Sequence, residues 1–275
     1  MNPAENAQLA LLIEVSGTPK PGNVDREHEF DDLRYEQFLA SAVGAGAGLR
    51  AAESGPIGAA FELAVEGMAA GHGQNTQFGA LLLLTPLVRA ASDGDLSSAG
   101  TERIARETTV ADAAAFYRAF EHCAVFVDEP PADAPDLDVR RGAGAIPAIE
   151  ERGLTLYDVL ALGADEDDVA REWASGFERS FSVAARIEGL SGPLSDRAST
   201  VFCKALAARH DTLVAKKHGE EVAREASERV AAALGDREAL DALATEFVER
   251  GINPGTTADI VAAGLFVALE RGVEV

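Results

Sequence analysis

The chain has 275 residues, with 46 acidic against 24 basic side chains and a formal charge of −22. That surface repels duplex nucleic acid, whose binding needs a basic face, and suits high salt, where charge is screened over a few ångströms. We read it as adaptation to a saline cytoplasm. Its apolar runs, such as Ala80–Leu84, are too short to span a bilayer, and no signal peptide is expected; a cytoplasmic location is the default.

Helical signals dominate from the start. Asn2-Pro3-Ala4-Glu5 offers an N-cap, a proline in the first turn and an acidic third position, and predicts a helix to about Val15. Next comes Thr18-Pro19-Lys20-Pro21-Gly22-Asn23-Val24-Asp25, a turn whose prolines and glycine fix the backbone under a lysine, an asparagine and an aspartate. Glu14, just before it, meets the negative end of the helix dipole and calls for a compensating charge from Lys20 or a metal.

Further helices are predicted near 34–53, 57–71, 76–91, 109–121, 155–162, 166–188, 196–209, 211–234, 237–249 and 257–271. Asp165, Ser195, Asp236 and Thr256 are the expected caps, and Pro86 is expected to kink its helix. The lone strand-like run is Ala124–Val127. Asp128–Pro147, rich in Asp, Pro, Ala and Gly, reads as an acidic loop, a lid or a domain boundary. The sum is an all-α fold: one compact single-domain bundle, 1–275, of roughly ten to twelve helices. Cys123 and Cys203 lie in apolar surroundings and read as buried thiols.

Two other polar segments also feed helices. Gly73-Gln74-Asn75-Thr76 starts one, and Asn253-Pro254-Gly255-Thr256-Thr257-Ala258-Asp259 starts another, where Thr256 and Asp259 fit a capping box. Free N–H groups at both starts are candidate phosphate sites. Three of the four lysines, Lys204, Lys216 and Lys217, cluster in one region. Positions 204, 211 and 218 read as one helical stripe carrying Lys204, Asp211 and His218, with Thr212 and Lys216 beside it. His210-Asp211 also spells a dipeptide of metal-dependent phosphohydrolases.

Taken in order, these segments resemble the triphosphoribosyl-dephospho-CoA synthase family. Its members carry EV…PKPGLVD, NTHKG, DT and SPGGSADL segments. Their counterparts here are Glu14-Val15 with Pro19–Asp25, Asn75-Thr76-Gln77-Phe78-Gly79, Asp211-Thr212 and Asn253–Ile260. Gln77 and Phe78 stand where the family has His and Lys, and no GARGEA-like segment occurs mid-chain, which marks a divergent, archaeal-like branch.

The resemblance implies an all-helical transferase. The 2′-hydroxyl of 3′-dephospho-CoA, or a related acceptor, attacks the anomeric carbon of ATP and adenine leaves. It implies ATP as substrate, a CoA-like partner and Mg²⁺ as cofactor. On that basis Asp25, Asp211 and Glu14 are the candidate catalytic carboxylates, and Asp211 and Asp259 the candidate metal ligands. Phosphate or substrate contacts are assigned to Lys20, Gly22, Asn23, Asn75, Thr76, Thr212, Lys216, His218, Asn253, Gly255 and Thr256. A metal-dependent nucleotide or ADP-ribose hydrolase, and a non-catalytic helical nucleotide-binding protein, are the alternatives. Oligomeric state is not legible.

Overall fold

The computed structural model describes all residues except 128–129 and 131–133. α1 (Pro3–Ser16) opens on the expected capping box: Glu5 N–H donates to Asn2 Oδ1 at 2.8 Å and Asn2 N–H to Glu5 Oε2 at 3.0 Å. α2 (Tyr35–Gly44), α3 (Gly46–Ala52), α4 (Ile57–Ala69), α5 (Phe78–Ser92), α6 (Ser98–Arg106) and α7 (Val110–Ala119) follow. After two 3₁₀ turns (Pro135–Leu137 and Val139–Ala145) come α8 (Ile146–Arg152), α9 (Leu156–Leu162), α10 (Asp168–Ala174) and α11 (Glu178–Glu188). The chain ends with α12 (Leu194–Ala208), α13 (Thr212–His218), α14 (Glu220–Ala233), α15 (Arg237–Glu249) and α16 (Gly255–Glu270).

The protein is therefore all-helical, as expected, but with 16 α-helices among the described residues rather than ten to twelve. Three predicted helices split. The first divides at Gly44–Gly46, the second at Gly176-Phe177, where both residues take positive φ, and the third at Gly219, with φ +89°. α6 and α8 were not foreseen. Ala124–Val127 forms no strand. The loop predicted over 128–147 lies partly outside the described residues. Its later part is held on α7, where the Tyr117 hydroxyl donates to Leu137 O at 2.7 Å.

α16 is the axis of the core. Every residue from Thr256 to Leu269 is buried except Asp259, so the helix is apolar all round and packs on α1, α5, α11 and α12. α5 is nearly as buried and carries Pro86 inside; the carbonyl of Leu82, freed by that proline, faces Thr85 Oγ1 at 3.5 Å. Small residues let axes approach, most closely where Gly44 of α2 meets Gly67 of α4. No helix among the described residues is long and apolar enough to cross a membrane. Both thiols are buried in apolar surroundings, which pushes Cys123 up to about 11 and Cys203 up to about 12.

Candidate active site

The end of α1 and the starts of α5 and α16 meet at a cavity of about 820 Å³. Gly22 shows why the first turn reaches this place. With φ +76°, it packs so closely that a Cβ would lie 2.1 Å from Ile252 O, and only glycine takes both that dihedral and that approach. Asn23 Nδ2 then donates to Asn253 Oδ1 at 3.0 Å, joining the first polar turn to the last.

Lys20 is completely buried. Its ammonium donates to Glu14 Oε1 at 2.6 Å and to Asn23 Oδ1 at 2.8 Å, and lies 5.7 Å from the Phe202 ring centroid. It does not line the cavity, whereas both of its partners do. The lysine thus supplies the charge that Glu14 needs at the C-terminal end of α1. Burial pushes the Glu14 carboxyl up, with the Lys20 charge and hydrogen bond opposing. Glu14 Oε2 accepts no hydrogen bond among the described residues.

Asp25 is spent on its own loop. One carboxylate oxygen accepts the Lys20 N–H at 3.0 Å; the other accepts the N–H groups of Glu27 at 2.8 Å and His28 at 2.9 Å. Asp211 is similarly occupied. Its Oδ1 caps α13 through Leu213 N–H (2.9 Å) and Val214 N–H (3.2 Å), and its Oδ2 accepts from Thr257 N–H (2.6 Å) and Thr257 Oγ1 (2.7 Å) in α16. Burial moves its carboxyl up to about 6 against those four donors. Neither aspartate lines the cavity.

Asp259 is not half of a capping box, because α16 starts at Gly255 and places both Thr256 and Asp259 inside it. Its side chain crosses to α5 instead, where Oδ1 accepts the Ala80 N–H at 2.9 Å. The glycine of the second polar segment makes this possible: a Cβ on Gly79 would lie 2.1 Å from Asp259 Oδ2. That Oδ2 accepts no hydrogen bond among the described residues. Burial, then the charges of Glu14, Asp211 and Asp167, push the Asp259 carboxyl well above the usual range.

Of the other predicted contacts, Asn75, Thr76, Asn253, Gly255 and Thr256 line the cavity. Asn75 Oδ1 accepts the Phe78 N–H at 3.1 Å, and Thr76 donates to Ser41 Oγ at 2.7 Å. The stripe through positions 204, 211 and 218 does not form, because α12 ends at Ala208 and Arg209 is extended. Thr212 lies beside Thr256, with hydroxyls 3.4 Å apart, but outside the cavity. Lys216 does not line the cavity itself but pairs with Asp167 at 2.7 Å, and the exposed His218 reaches Gly251 O at 2.9 Å. His210 pairs with Glu220 at the surface, and no three His, Cys, Asp or Glu side chains gather as a metal cage among the described residues.

Three charged lining residues went unforeseen: Asp32, Asp167 and Lys217. Asp167, rather than Asp165, caps α10. Among the described residues, Lys217 is the cavity's sole lysine or arginine, its ammonium 5.4 Å from the Phe126 ring centroid. It was visible beside Lys216, but the helical register used to choose between them was broken at Asp211.

A profile of the family described as "CitG: ATP:dephospho-CoA triphosphoribosyl transferase" matches residues 1–274. The chain belongs to that family. It is 30% identical over 283 residues to a protein of Pseudomonas fluorescens named "Probable 2-(5''-triphosphoribosyl)-3'-dephosphocoenzyme-A synthase", covering 96% of this chain and 90% of that protein. The fold matches the crystal structure of a "putative triphosphoribosyl-dephospho-coA synthase" from Archaeoglobus fulgidus, with a TM-score of 0.73 and 28% identity over 88% of this chain and all of that one. It is thus an enzyme of the transferase type.

Proposed function

We propose that this protein transfers the triphosphoribosyl group of ATP to the 2′-hydroxyl of 3′-dephospho-CoA and releases adenine. Family membership supports the reaction class. The observation that carries the assignment of roles is that two carboxyls raised by burial, Glu14 and Asp259, line one cavity with one oxygen each left unengaged among the described residues. A volume of about 820 Å³ suits a nucleotide with part of a second substrate.

In this reading Glu14 is the general base. Burial raises its proton affinity toward the working pH while Lys20 keeps it ionised, a combination that is worth about 10²–10⁴-fold in rate. The acceptor oxygen bonds to the anomeric carbon as the ribose–adenine bond breaks. The proton taken from the hydroxyl balances the one adenine carries away. Asn23 and Asn253 orient the ribose and phosphates beside the start of α16, and Lys217 offers positive charge to the triphosphate. Asp25 and Asp211 act as positioning residues, holding the first turn and the two helix starts.

The metal-ligand assignment narrows to Asp259, since every Asp211 oxygen is already hydrogen-bonded. One or two protein carboxylate oxygens together with substrate phosphates form a donor set that Mg²⁺ accepts, and the ion would neutralise triphosphate charge when bound. Incubation with ATP, Mg²⁺ and 3′-dephospho-CoA should yield adenine and the triphosphoribosylated product in equal amounts by mass spectrometry. Adenine released at the same rate without acceptor would make the protein a hydrolase. No adenine from folded protein under any salt condition would refute the proposal.

A further inference from the structure

Gln77 leaves the cavity wall chemically incomplete. It lines the cavity and is 4% exposed, yet neither Oε1 nor Nε2 has a hydrogen-bond partner among the described residues. A carboxamide offers both donors and acceptors, and burying it unpaired costs free energy that an apolar side chain would not. The other buried polar side chains without partners are Thr18, Trp173 and Ser227, and none of these lines the cavity among the described residues. What would complete Gln77 is a ligand presenting one donor and one acceptor side by side.

The same wall is aromatic. Phe78, Phe116 and Phe120 line the cavity and interlock, with Phe78–Phe120 centroids 4.8 Å apart and Phe116–Phe120 5.2 Å apart at 84°. Rings packed edge to face present surfaces on which a flat heteroaromatic ring can stack. The 6-aminopurine edge carries an exocyclic N–H beside a ring-nitrogen acceptor, which an amide side chain matches bidentately.

We propose that Gln77, with the Phe78–Phe116–Phe120 panel, forms an adenine subsite. This rests on the function proposed above. It gives a physical sense to the neutral Gln77-Phe78 pair found where the family pattern has His and Lys. The amide accepts from the 6-amino group and donates to the adjacent ring nitrogen, while the phenylalanines cover a ring face. An adenine ring belongs to both ATP and the acceptor, and kinetics separates the two.

The test compares wild type with Gln77→Leu and Gln77→Met, using adenine, purine (which lacks the 6-amino group) and inorganic triphosphate as probes by calorimetry. Wild type should bind adenine about tenfold tighter than purine, and both variants should lose that preference. Inorganic triphosphate affinity should stay the same, and the variants should unfold at or above the wild-type temperature, since an unpaired buried amide is gone. A raised KM for ATP in the variants assigns the ring to the donor nucleotide; a raised KM for 3′-dephospho-CoA assigns it to the acceptor. Variants that retain the adenine preference, in a wild-type background that releases adenine, overturn the subsite alone. Wild type that neither binds adenine nor releases it overturns both the subsite and the reaction.

Discussion

Removing the Lys20 charge tests whether this residue serves Glu14 or the substrate. The pair is buried on both sides, with the ammonium 2.6 Å from Oε1. At an effective dielectric of about 20 their attraction is about 6 kcal/mol, most of which repays desolvation. Lys20→Met strands Glu14 without a counter-charge. The carboxylate then escapes by taking up a proton, which at pH 7 costs about 1.36 kcal/mol for each pH unit above an ordinary value of about 4.3. Wild-type Glu14, itself raised by burial, already bears part of that cost, so the expected destabilisation is at most about 3–4 kcal/mol at pH 7 and at most about 1 kcal/mol at pH 5.

The sign follows from linkage. Glu14 already titrates above its ordinary value when folded, and loss of Lys20 raises it further. Stability contributed by the protonated carboxyl is complete below the unfolded value and is lost as pH rises through the folded one. Glu14→Gln strands the lysine instead and should cost a similar 3–5 kcal/mol. The double variant Glu14→Gln/Lys20→Met removes both charges, leaves an amide able to donate to Asn23 Oδ1, and should return to within about 1.5 kcal/mol of wild type. Its activity should stay about 10²–10⁴-fold down, because the proposed base is absent. Urea unfolding at pH 7 and pH 5, with steady-state kinetics, reads all of this. A Lys20→Met protein with the wild-type urea midpoint and a tenfold higher KM for ATP would refute the reasoning and return Lys20 to the phosphates.

Two further outcomes are expected. Asp211→Asn places an amide N–H against donors from Thr257 or from Leu213 and Val214, and should cost about 1–3 kcal/mol by thermal unfolding. Because folding moves that carboxyl up to about 6, its contribution is complete near pH 4 and fades toward pH 6, and the variant should flatten stability across that window. Gly79→Ala gains about 1 kcal/mol of helix propensity but drives a methyl into Asp259 Oδ2. Its kcat/KM should fall at least tenfold while its unfolding free energy stays within about 1–2 kcal/mol of wild type, and full activity would remove Asp259 from the site.

The architecture was legible where composition leaves one option. Ile260 to Leu269 is apolar on every face, which requires a buried helix, and the Asn2-Glu5 box fixed the first helix start. Helix number was harder to read. Gly176 and Gly219 were available as break signals, but each sits in a long apolar-periodic run, and periodicity alone bridges one or two positive-φ residues. α6 buries one face, Gly100, Thr101, Ile104 and Ala105, but Ile104 is its sole large apolar side chain, so the stripe is faint in sequence.

At the site, sequence named segments that the structure brings to one cavity but could not rank their carboxylates. Glu14, Asp25, Asp211 and Asp259 all sit at or beside turns that feed helices. The difference lies in what each oxygen already accepts, and that is set by backbone N–H groups up to 179 residues away, as with Asp259 and Ala80. Asp25 and Asp211 hold the backbone with both oxygens; Glu14 and Asp259 hold it or a lysine with one. Asp25 and Asp211 also lie off the cavity, so neither can meet a substrate hydroxyl whatever its proton affinity. An unengaged oxygen on a buried carboxyl at the cavity wall, rather than motif position, is the ground on which we propose Glu14 and Asp259 as the pair facing the chemistry.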